Sequence, residues 1–260
     1  MLIVAAGPAS AQSPNDTYWI QLHGFRPTIE STARFDSLGA GIKGTEVNFE
    51  DELGLSDRES LPNLLMGLRL GERWRLEFEY FELKRKGTRT IQRDIHWGDA
   101  VFPASGEVSS QFDSDIYRLS AGYSVFRSST VEVGGALGLH VTDFVLALGG
   151  KASGPQGQAV QSEQKDQRVP LPTLGLYGTW ALSAQWTLSG RVDYLSLEYE
   201  QYDGSLRNLI ATVSWRFSRN FGAGLGYRYV AYEVNAMKSD FRGNVSYKFR
   251  GPTIYLEAVL

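Results

Sequence analysis

The chain has 260 residues with a formal net charge of −3 and no cysteine. This length suffices for one large β domain or two small ones. The near-neutral charge and the lack of any basic cluster or RNA-reading motif exclude a nucleic-acid partner. The lack of cysteine fits an exported bacterial protein that needs no disulfides.

The first residues, MLIVAAGPASAQS, have the pattern of a secretory signal. An apolar stretch at 2–6 precedes the tripeptide ASA at 9–11, which matches the A-x-A pattern cleaved by signal peptidase. We therefore interpret residues 1–11 as the remnant of a signal peptide and residues 12–260 as one domain. Beyond this point no apolar run approaches the ~20 residues that a membrane-spanning helix requires.

Beyond residue 16, apolar and polar residues alternate with period two, which is typical of β-strands with one apolar face. Four short polar turns interrupt the alternation, at 69–74, 126–130, 181–186 and 217–221. Longer polar connections lie between them, at 28–60, 87–111 and 148–169, with shorter ones near 201–205 and 236–243. The pattern predicts ten strands, at 16–27, 61–70, 72–86, 112–126, 130–147, 170–182, 185–200, 206–217, 220–235 and 244–260.

An even number of strands, with short turns at one end and longer loops at the other, is typical of outer-membrane barrels. A sheet that crosses a bilayer has to close on itself, because the hydrocarbon offers no hydrogen-bond partner to an open edge. We therefore predict an all-β fold, a closed antiparallel up-and-down transmembrane β-barrel of about ten strands (about 8–12), with short periplasmic turns and long extracellular loops. The expected location is the outer membrane of a Gram-negative bacterium.

Alternation by itself does not distinguish a membrane barrel from a water-soluble one, so the placement of aromatic residues matters. Tryptophan suits the headgroup level of a membrane, whereas a soluble core has no reason to collect it at one end. Aromatic residues near the tight turns predict a membrane aromatic belt: Trp74, Trp180, Trp186, Trp215, Phe217 and Phe221. The strand faces that carry them are apolar, and we expect those faces to contact lipid.

The last strand has one irregularity in this pattern. Tyr247 and Phe249 lie on the opposite parity to Leu256 and Leu260. We predict a β-bulge at 251–252, because one inserted residue switches the faces of a strand.

The segment WRFSRNFGAGLGY at 215–227 combines a turn with glycine at every second position. A dinucleotide-binding G-x-G-x-x-G loop has to open a helix, whereas here the strand alternation continues. We therefore expect Gly222, Gly224 and Gly226 to face the barrel interior beneath bulky partners, with Phe221 on the lipid side.

The polar strand faces alternate small residues with arginine and carboxylates, which suits a narrow lumen in which large charged groups pair. An unpaired buried charge is costly, so we favour a plug of mutually paired charges over a selective pore lining. The residues predicted to form this lumen charge network are Arg69, Arg75, Glu77, Glu79, Arg118, Glu132, His140, Arg191, Asp193, Arg216, Arg228 and Glu257.

Two features suggest catalytic alternatives. The pair His140 and Thr142, with Asp143 adjacent, is similar to the H-x-S of lipid A deacylases, in which a histidine activates a serine nucleophile. Here threonine replaces serine, and parity points the pair into the lumen. Ten strands also resemble the omptin proteases, whose Asp-Asp and Asp-His dipeptides do not occur here, although Asp94 and His96 share one loop. We expect no catalytic residues.

The first loop carries a carboxylate cluster at Glu50, Asp51, Glu52 and Asp57. Carboxylate oxygens are ligands that Ca²⁺ prefers, but the spacing does not fit an EF-hand loop. We therefore name this loop as a weak divalent-cation candidate and predict no resident metal or cofactor.

Over residues 12–260 the chain resembles outer-membrane β-barrel proteins of the OmpA-like superfamily. Four stretches also look similar to a family of uncharacterised proteobacterial outer-membrane proteins, namely GTEVNFEDELGL (44–55), GLHVTDF (138–144), RVDYLSLEYEQYDGSL (191–206) and NFGAGLGYRY (220–229). The resemblance implies the barrel fold and the outer membrane, and no known activity.

We therefore expect a monomeric, non-enzymatic integral outer-membrane protein with a charge-plugged narrow lumen. Its long loops at 28–60, 87–111 and 148–169 are expected to contact lipopolysaccharide or partners at the cell surface. Two alternatives stay open, a narrow porin-like channel for small solutes and a lipid A-modifying hydrolase.

Overall fold

The computed structural model describes residues 16–154, 157–199, 202–237 and 241–260, and every regular element in them is a β-strand. The strands in chain order are β1 (Tyr18–Phe25), β2 (Thr28–Ser37), β3 (Val47–Asn48), β4 (Leu61–Leu70), β5 (Trp74–Thr90), β6 (Ile95–Trp97), β7 (Ala100–Phe102), β8 (Glu107–Arg127), β9 (Val131–Gly154), β10 (Gly157–Ala181), β11 (Trp186–Tyr199), β12 (Tyr202–Arg216), β13 (Phe221–Met237) and β14 (Phe241–Val259). The described residues contain no helix long and apolar enough to cross a membrane. The segment interpreted as a signal peptide, 1–11, lies outside the described residues.

Ten of these strands form one closed antiparallel barrel, which confirms the predicted fold class. Their order around the barrel is β1, β4, β5, β8, β9, β10, β11, β12, β13, β14, and β14 pairs back onto β1. Closure leaves no sheet edge in the membrane, so neighbouring strands satisfy one another's backbone hydrogen bonds. The four tight turns all lie at the same end of the barrel, between β4 and β5, β8 and β9, β10 and β11, and β12 and β13.

The strands extend farther than the sequence pattern predicts, and the connections are correspondingly shorter. β2 occupies 28–37 and continues along β14 in the register of β1. β9 and β10 stay paired as far as Gly154 and Gly157, so the described residues of the predicted loop at 148–169 belong to these two strands. The predicted loop at 87–111 likewise gives its two ends to β5 and β8. These loop boundaries were wrong because strands above a membrane lose the apolar outer face that identifies them in sequence.

The barrel wall changes its chemistry partway up the strands without any change of side-chain parity. On β8, the outward residues change from apolar ones ending at Tyr117 to polar ones beginning at Asp115. The inward residues change in the opposite sense, from Arg118 to Ile116. The half near the tight turns, called the lower half, therefore has an apolar exterior and an ionic lumen. The upper half has a polar exterior and an apolar core.

Within the described residues, no bulge interrupts β14 at 251–252, so that prediction was wrong. β13 and β14 pair in one unbroken register along their whole length. Tyr247 and Phe249 face the interior and are 1% and 0% exposed, while Leu256, which has the opposite parity, faces outward. Apolar residues of opposite parity thus mark two environments along one strand, a packed core inside the upper half and lipid outside the lower half.

Two rings of aromatic residues bound the apolar exterior of the lower half. The ring near the tight turns contains the six residues predicted as a belt, all of them exposed: Trp74, Trp180, Trp186, Trp215, Phe217 and Phe221. The second ring, at the upper edge, consists of outward-facing tyrosines: Tyr80, Tyr117, Tyr194, Tyr227 and Tyr229. The rings are separated on β13 by about 26 Å along the strand, or about 20 Å across a membrane at the usual strand tilt, which suits a thin bacterial outer membrane.

The upper half is filled by one apolar core, to which the wall strands and the first two extracellular connections both contribute. Phe112 and Tyr247 pack into it from the wall, and Phe49 and Trp97 pack into it from the connections. The Trp97 ring is fully buried, with its centroid 4.6 Å from that of Phe35 and 6.1 Å from that of Phe49. Pairing of β3 with β2 and of β6 with β7 holds the connections over the barrel mouth.

Candidate functional site

Two ion pairs cross the lumen of the lower half. Glu77 on β5 accepts a hydrogen bond from Nη1 of Arg191 on β11 at 2.6 Å. Glu79, also on β5, accepts one from Nη1 of Arg228 on β13 at 2.5 Å. β11 and β13 stand four and six places from β5 in the closed ring of ten strands, so these side chains reach across the bore.

Glu79 accepts hydrogen bonds from three different side chains in the lumen. Besides Arg228, it accepts hydrogen bonds from Nε of Arg118 at 2.8 Å and from Nδ2 of Asn63 at 2.6 Å. Nη1 of Arg118 lies 3.6 Å from Glu77, so this guanidinium links the two cross-lumen pairs on the β8 side. Glu79 and Arg118 are both almost completely buried.

Asp193 links the same two pairs on the opposite side of the lumen. It accepts hydrogen bonds from Nε and Nη2 of Arg191 at 2.9 and 2.7 Å. It also accepts one from Nδ2 of Asn208 at 2.9 Å, and Oδ1 of Asn208 accepts one from Nε of Arg228 at 3.1 Å. The contacts therefore close into a ring of charged side chains, bridged at one point by the neutral Asn208, that involves five strands, β5, β8, β11, β12 and β13.

Two further ionic groups lie nearer the tight turns. Arg69 and Glu132 form a bidentate pair, with N–O distances of 2.8 and 2.9 Å. Nη2 of Arg216 donates to Asp16 at 2.7 Å and lies 3.5 Å from Oε1 of Glu257. Bidentate geometry of this kind fixes both side chains, because two parallel hydrogen bonds define one orientation of the guanidinium.

Arg75 lies between these groups and the cross-lumen ring. Its guanidinium donates to Glu77 at 2.5 Å and sits between the rings of Trp19 and Tyr177, 4.9 and 4.4 Å from their centroids. These residues and His23 line a cavity of about 90 Å³. A drug-sized ligand needs a site of about 300–1,000 Å³, so this cavity suits only very small molecules.

His140 lies at the top of the network, directly below the apolar core. It is 1% exposed, and its Nδ1 is 3.4 Å from Oγ1 of Thr173. Thr142 also faces the interior and is 0% exposed, whereas Asp143 lies on the outward parity. The structure thus separates the carboxylate from the other two members of the candidate catalytic set.

Every residue of the predicted lumen network faces the interior, and all of them except His140 join an ion pair. The polar partners of the network that the sequence pattern did not identify include Asp16, Asn63 and Asn208. Asn63 and Asn208 share the inward parity of the charges on their strands, so parity alone could have found them. Asp16 precedes the first strand, where parity is undefined.

A second polar group, also missed in the sequence, lies inside the apolar core of the upper half. Arg85 on β5 is 2% exposed and donates to Glu50 at 2.5 Å, to Oγ of Ser31 at 2.8 Å and to the carbonyl oxygen of Ser56 at 3.0 Å. Glu50 also accepts the backbone N–H of Ser31 at 2.8 Å. The guanidinium lies 4.9 Å from the Phe112 ring centroid. This group ties the first extracellular connection to the barrel wall.

The carboxylates of the weak cation candidate do not converge. Glu50 is engaged as described above, and Glu52 accepts hydrogen bonds from Arg93 at 2.7 and 2.9 Å, while Asp51 and Asp57 are exposed. Partial burial opposes ionisation of Glu52, but the bonds from Arg93 and a backbone amide outweigh it and hold the pKa of Glu52 below its usual range. No group of three or more His, Cys, Asp or Glu side chains that could hold a metal exists among the described residues.

Asp94 and His96 stabilise the second extracellular connection. Oδ1 of Asp94 accepts the backbone N–H of Ala104 at 2.7 Å, and the backbone N–H of His96 donates to Oγ1 of Thr45 at 3.0 Å. Both contacts lie within the extracellular connections, and the contact of His96 is made by its backbone rather than by its imidazole.

The glycines of the 215–227 segment lie on the interior face of β13. A Cβ atom on Gly224 would overlap the ring of Tyr255, and one on Gly226 would overlap the backbone oxygen of Ala211. Glycine is required at these two positions because neighbouring groups occupy the space that a side chain would take.

No family model matches the chain, and no curated protein is similar to it in sequence. Among solved structures, it is similar to the outer membrane protease OmpT from Escherichia coli, with a TM-score of 0.56 and 11% identity, over 98% of this chain and 100% of that chain. It is also similar to the outer membrane protein OprG from Pseudomonas aeruginosa, with a TM-score of 0.44 and 12% identity, over 98% and 99% of the two chains. The toluene transporter TodX of P. putida gives a TM-score of 0.39 and 11% identity, over 98% and 94%. At these identities the likeness concerns the fold alone.

The closed wall, the apolar outer band between two aromatic rings and the enclosed charges define a transmembrane β-barrel. The protein is an integral β-barrel of the bacterial outer membrane, as the sequence predicts.

Proposed function

We propose that this outer-membrane barrel is non-conducting and non-enzymatic, and that it acts through its exterior and extracellular surfaces. The proposal rests on the two ion pairs that cross the lumen, Glu77 with Arg191 and Glu79 with Arg228. Charged groups buried at low dielectric are held strongly by their partners, so a solute would have to separate these pairs to pass.

The apolar core above the network acts as a second seal in series. A hydrated ion that passed the charged ring would next meet Tyr247, Phe112 and Trp97, which are packed against one another or their neighbours and nearly excluded from water. Displacing such a core costs the free energy of its burial. Two consecutive barriers of different chemistry support a closed lumen better than either barrier does alone.

In planar lipid bilayers we expect the refolded protein to give no unitary current. Its insertion is checked by heat-modifiable gel mobility, and a known porin in the same membrane serves as the positive control. Unitary steps whose size changes when Arg191→Gln or Arg228→Gln is introduced would establish the channel alternative instead. The Glu82→Gln variant, altered on the outside of the same barrel, is the matched control for such a change.

The burial of the candidate catalytic pair supports a non-enzymatic role. His140 and Thr142 face a sealed interior, whereas the acyl esters of lipid A lie outside the wall, and a general base must reach the group it serves. We therefore expect identical lipid A mass spectra from cells that make the wild type, the His140→Ala variant or no barrel. A lipid A species found only with the wild type would show a hydrolase.

Lipopolysaccharide of the outer leaflet is the partner we propose for the exterior, with the extracellular connections facing the surroundings of the cell. The apolar band lies between the two aromatic rings and runs continuously around the barrel. A monomeric barrel presents a surface of this kind to lipid.

A further inference from the structure

The outer wall above the apolar band carries opposite charges on opposite sides. On β5, β8 and β9, the first charged residue that points outward above the band is a carboxylate, and these residues are Glu82, Asp115 and Asp143. On the side formed by β12, β14 and the junction of β1 with β2, it is an arginine, and these residues are Arg207, Arg250 and Arg26. β13, which lies between β12 and β14, has Glu233 as its first outward charge, one residue pair above Ala231 on the same face. At the level where lipid headgroups begin, the polar wall therefore has an acidic side at β5, β8 and β9 and a predominantly basic side at β12, β14 and the junction of β1 with β2.

The basic side is compact, because the strand register brings its members together. Arg207 on β12 is opposite Ala231 on β13, and Ala231 is opposite Lys248 on β14. Adjacent strands are about 4.8 Å apart, so the backbones of Arg207 and Lys248 are separated by about 10 Å, with a small side chain between them. Arg250 follows Lys248 on the same face, and the backbone N–H of Arg26 donates to the oxygen of Pro252 at 3.1 Å. We call Arg26, Arg207, Lys248 and Arg250 the cationic patch.

The patch keeps an excess of positive charge. Arg250 pairs with Glu30 at 2.6 Å, and both side chains are about half exposed. Among the described residues, Arg26, Arg207 and Lys248 form no salt bridge. The acidic neighbours on the same face are Glu30 and Glu233, so four cations stand against two carboxylates.

Tyrosines of the upper aromatic ring adjoin the patch: Tyr194 pairs with Arg207 and Tyr229 pairs with Arg250, and Tyr227 lies one pair lower on the same face, opposite Pro252. The apolar band lies below them. A ligand that fits this arrangement has anionic groups at its head and hydrocarbon beneath. Lysine and arginine clusters next to a membrane attract anionic headgroups, and arginine binds phosphate through two parallel hydrogen bonds. A free phosphate would use the cations and the tyrosine hydroxyls and gain nothing from the apolar band.

We propose that the cationic patch binds the phosphate groups of lipid A in the outer leaflet, with the acyl chains lying against the apolar band. This rests on the proposed function, since it takes the exterior as the functional surface, and it moves the contact with lipopolysaccharide from the loops to the strand wall.

The test uses the full-length barrel, folded in a neutral detergent and titrated with bisphosphorylated lipid A, with the bound lipid counted by native mass spectrometry. The variant carries Arg26→Gln, Arg207→Gln, Lys248→Gln and Arg250→Gln. We expect its apparent Kd for lipid A to rise about tenfold or more, because each cation near the surface contributes to the attraction. The Arg207→Gln and Lys248→Gln double variant should show a smaller rise, and it serves if the fourfold variant does not fold.

The matched control is Lys84→Gln with Lys86→Gln, which removes cations from the acidic side and should leave the Kd within about twofold of the wild type. Equal affinity of the wild type and the fourfold variant overturns the proposal. So does wild-type binding of dephosphorylated lipid A at the same affinity, which would assign the contact to the apolar band alone. Displacement of lipid A by an equal concentration of inorganic phosphate would make the patch a free-anion site and also overturn it.

These outcomes are independent of the bilayer recordings. If the wild-type barrel conducts and the fourfold variant has a reduced affinity for lipid A, the closed-lumen function is overturned and the cationic patch is supported. A barrel that gives no current, and whose fourfold variant binds lipid A with wild-type affinity, would overturn the cationic patch and leave the closed-lumen function intact.

Discussion

Replacing Glu79 with glutamine should lower the free energy of unfolding by about 3–5 kcal/mol, because it leaves two buried guanidiniums short of their counter-charge. Arg118 and Arg228 both donate to this carboxylate, and all three side chains are buried in the lumen. Glutamine has nearly the same volume as glutamate, so the effect isolates charge from packing. The measurement is equilibrium urea unfolding of the barrel in lipid vesicles, followed by tryptophan fluorescence.

The matched control lies three residues farther along the same strand. Glu82 points outward and pairs with Lys84, whose side chain is 64% exposed. An exposed pair of this kind contributes about 0–1 kcal/mol, so Glu82→Gln should change stability little. Combining Glu79→Gln with Arg228→Met should recover part of the loss, since the unpaired cation is removed. Equal stability of Glu79→Gln and Glu82→Gln would show that the lumen charges are hydrated rather than locked in pairs.

The Arg85→Met variant should release the first extracellular connection while the barrel stays closed. Arg85 is the partner of Glu50 inside the apolar core, and its loss leaves that carboxylate buried without a cation. Breaking a buried pair costs about 3–5 kcal/mol, but here the cost falls on a connection that can leave the core. We expect faster hydrogen exchange and proteolysis at 47–56, with unchanged exchange in β9 to β14.

Arg89→Met is the control for this experiment, because Arg89 is exposed and, among the described residues, donates to the backbone oxygen of Asp51, at 2.6 Å. The double variant Glu50→Gln with Arg85→Met should restore much of the protection, since it removes the unpaired charge. If Arg85→Met and Arg89→Met leave 47–56 equally protected, apolar packing alone holds the connection, and the buried ion pair is not needed to hold it.

The lumen network shows which structural features can be predicted from the alternation of residues along a single strand. Alternation assigned Glu77, Glu79 and Arg228 to the inner face correctly, because parity is a property of the extended backbone and depends on no distant contact. It could not pair them, since Glu79 and Arg228 are 149 positions apart in the chain. Their meeting depends on the order and closure of the strands around the barrel. Arg85 has the same parity, yet its partner lies in a connection where no pattern predicts direction.

The sequence by itself determined the strands of the lower half, their inner and outer faces and the placement of tryptophan near the tight turns, since each follows from residues on one strand. Only the tertiary structure decided which medium each face meets at a given height. Leu256 and Tyr247 are both hydrophobic residues of β14, but Leu256 faces outward into lipid and Tyr247 faces inward into a packed core. Their opposite parity suggested a bulge because a hydrophobic residue indicates only that its side chain avoids water. Here side chains avoid water on both sides of one continuous wall, against lipid outside the lower half and in the packed core inside the upper half.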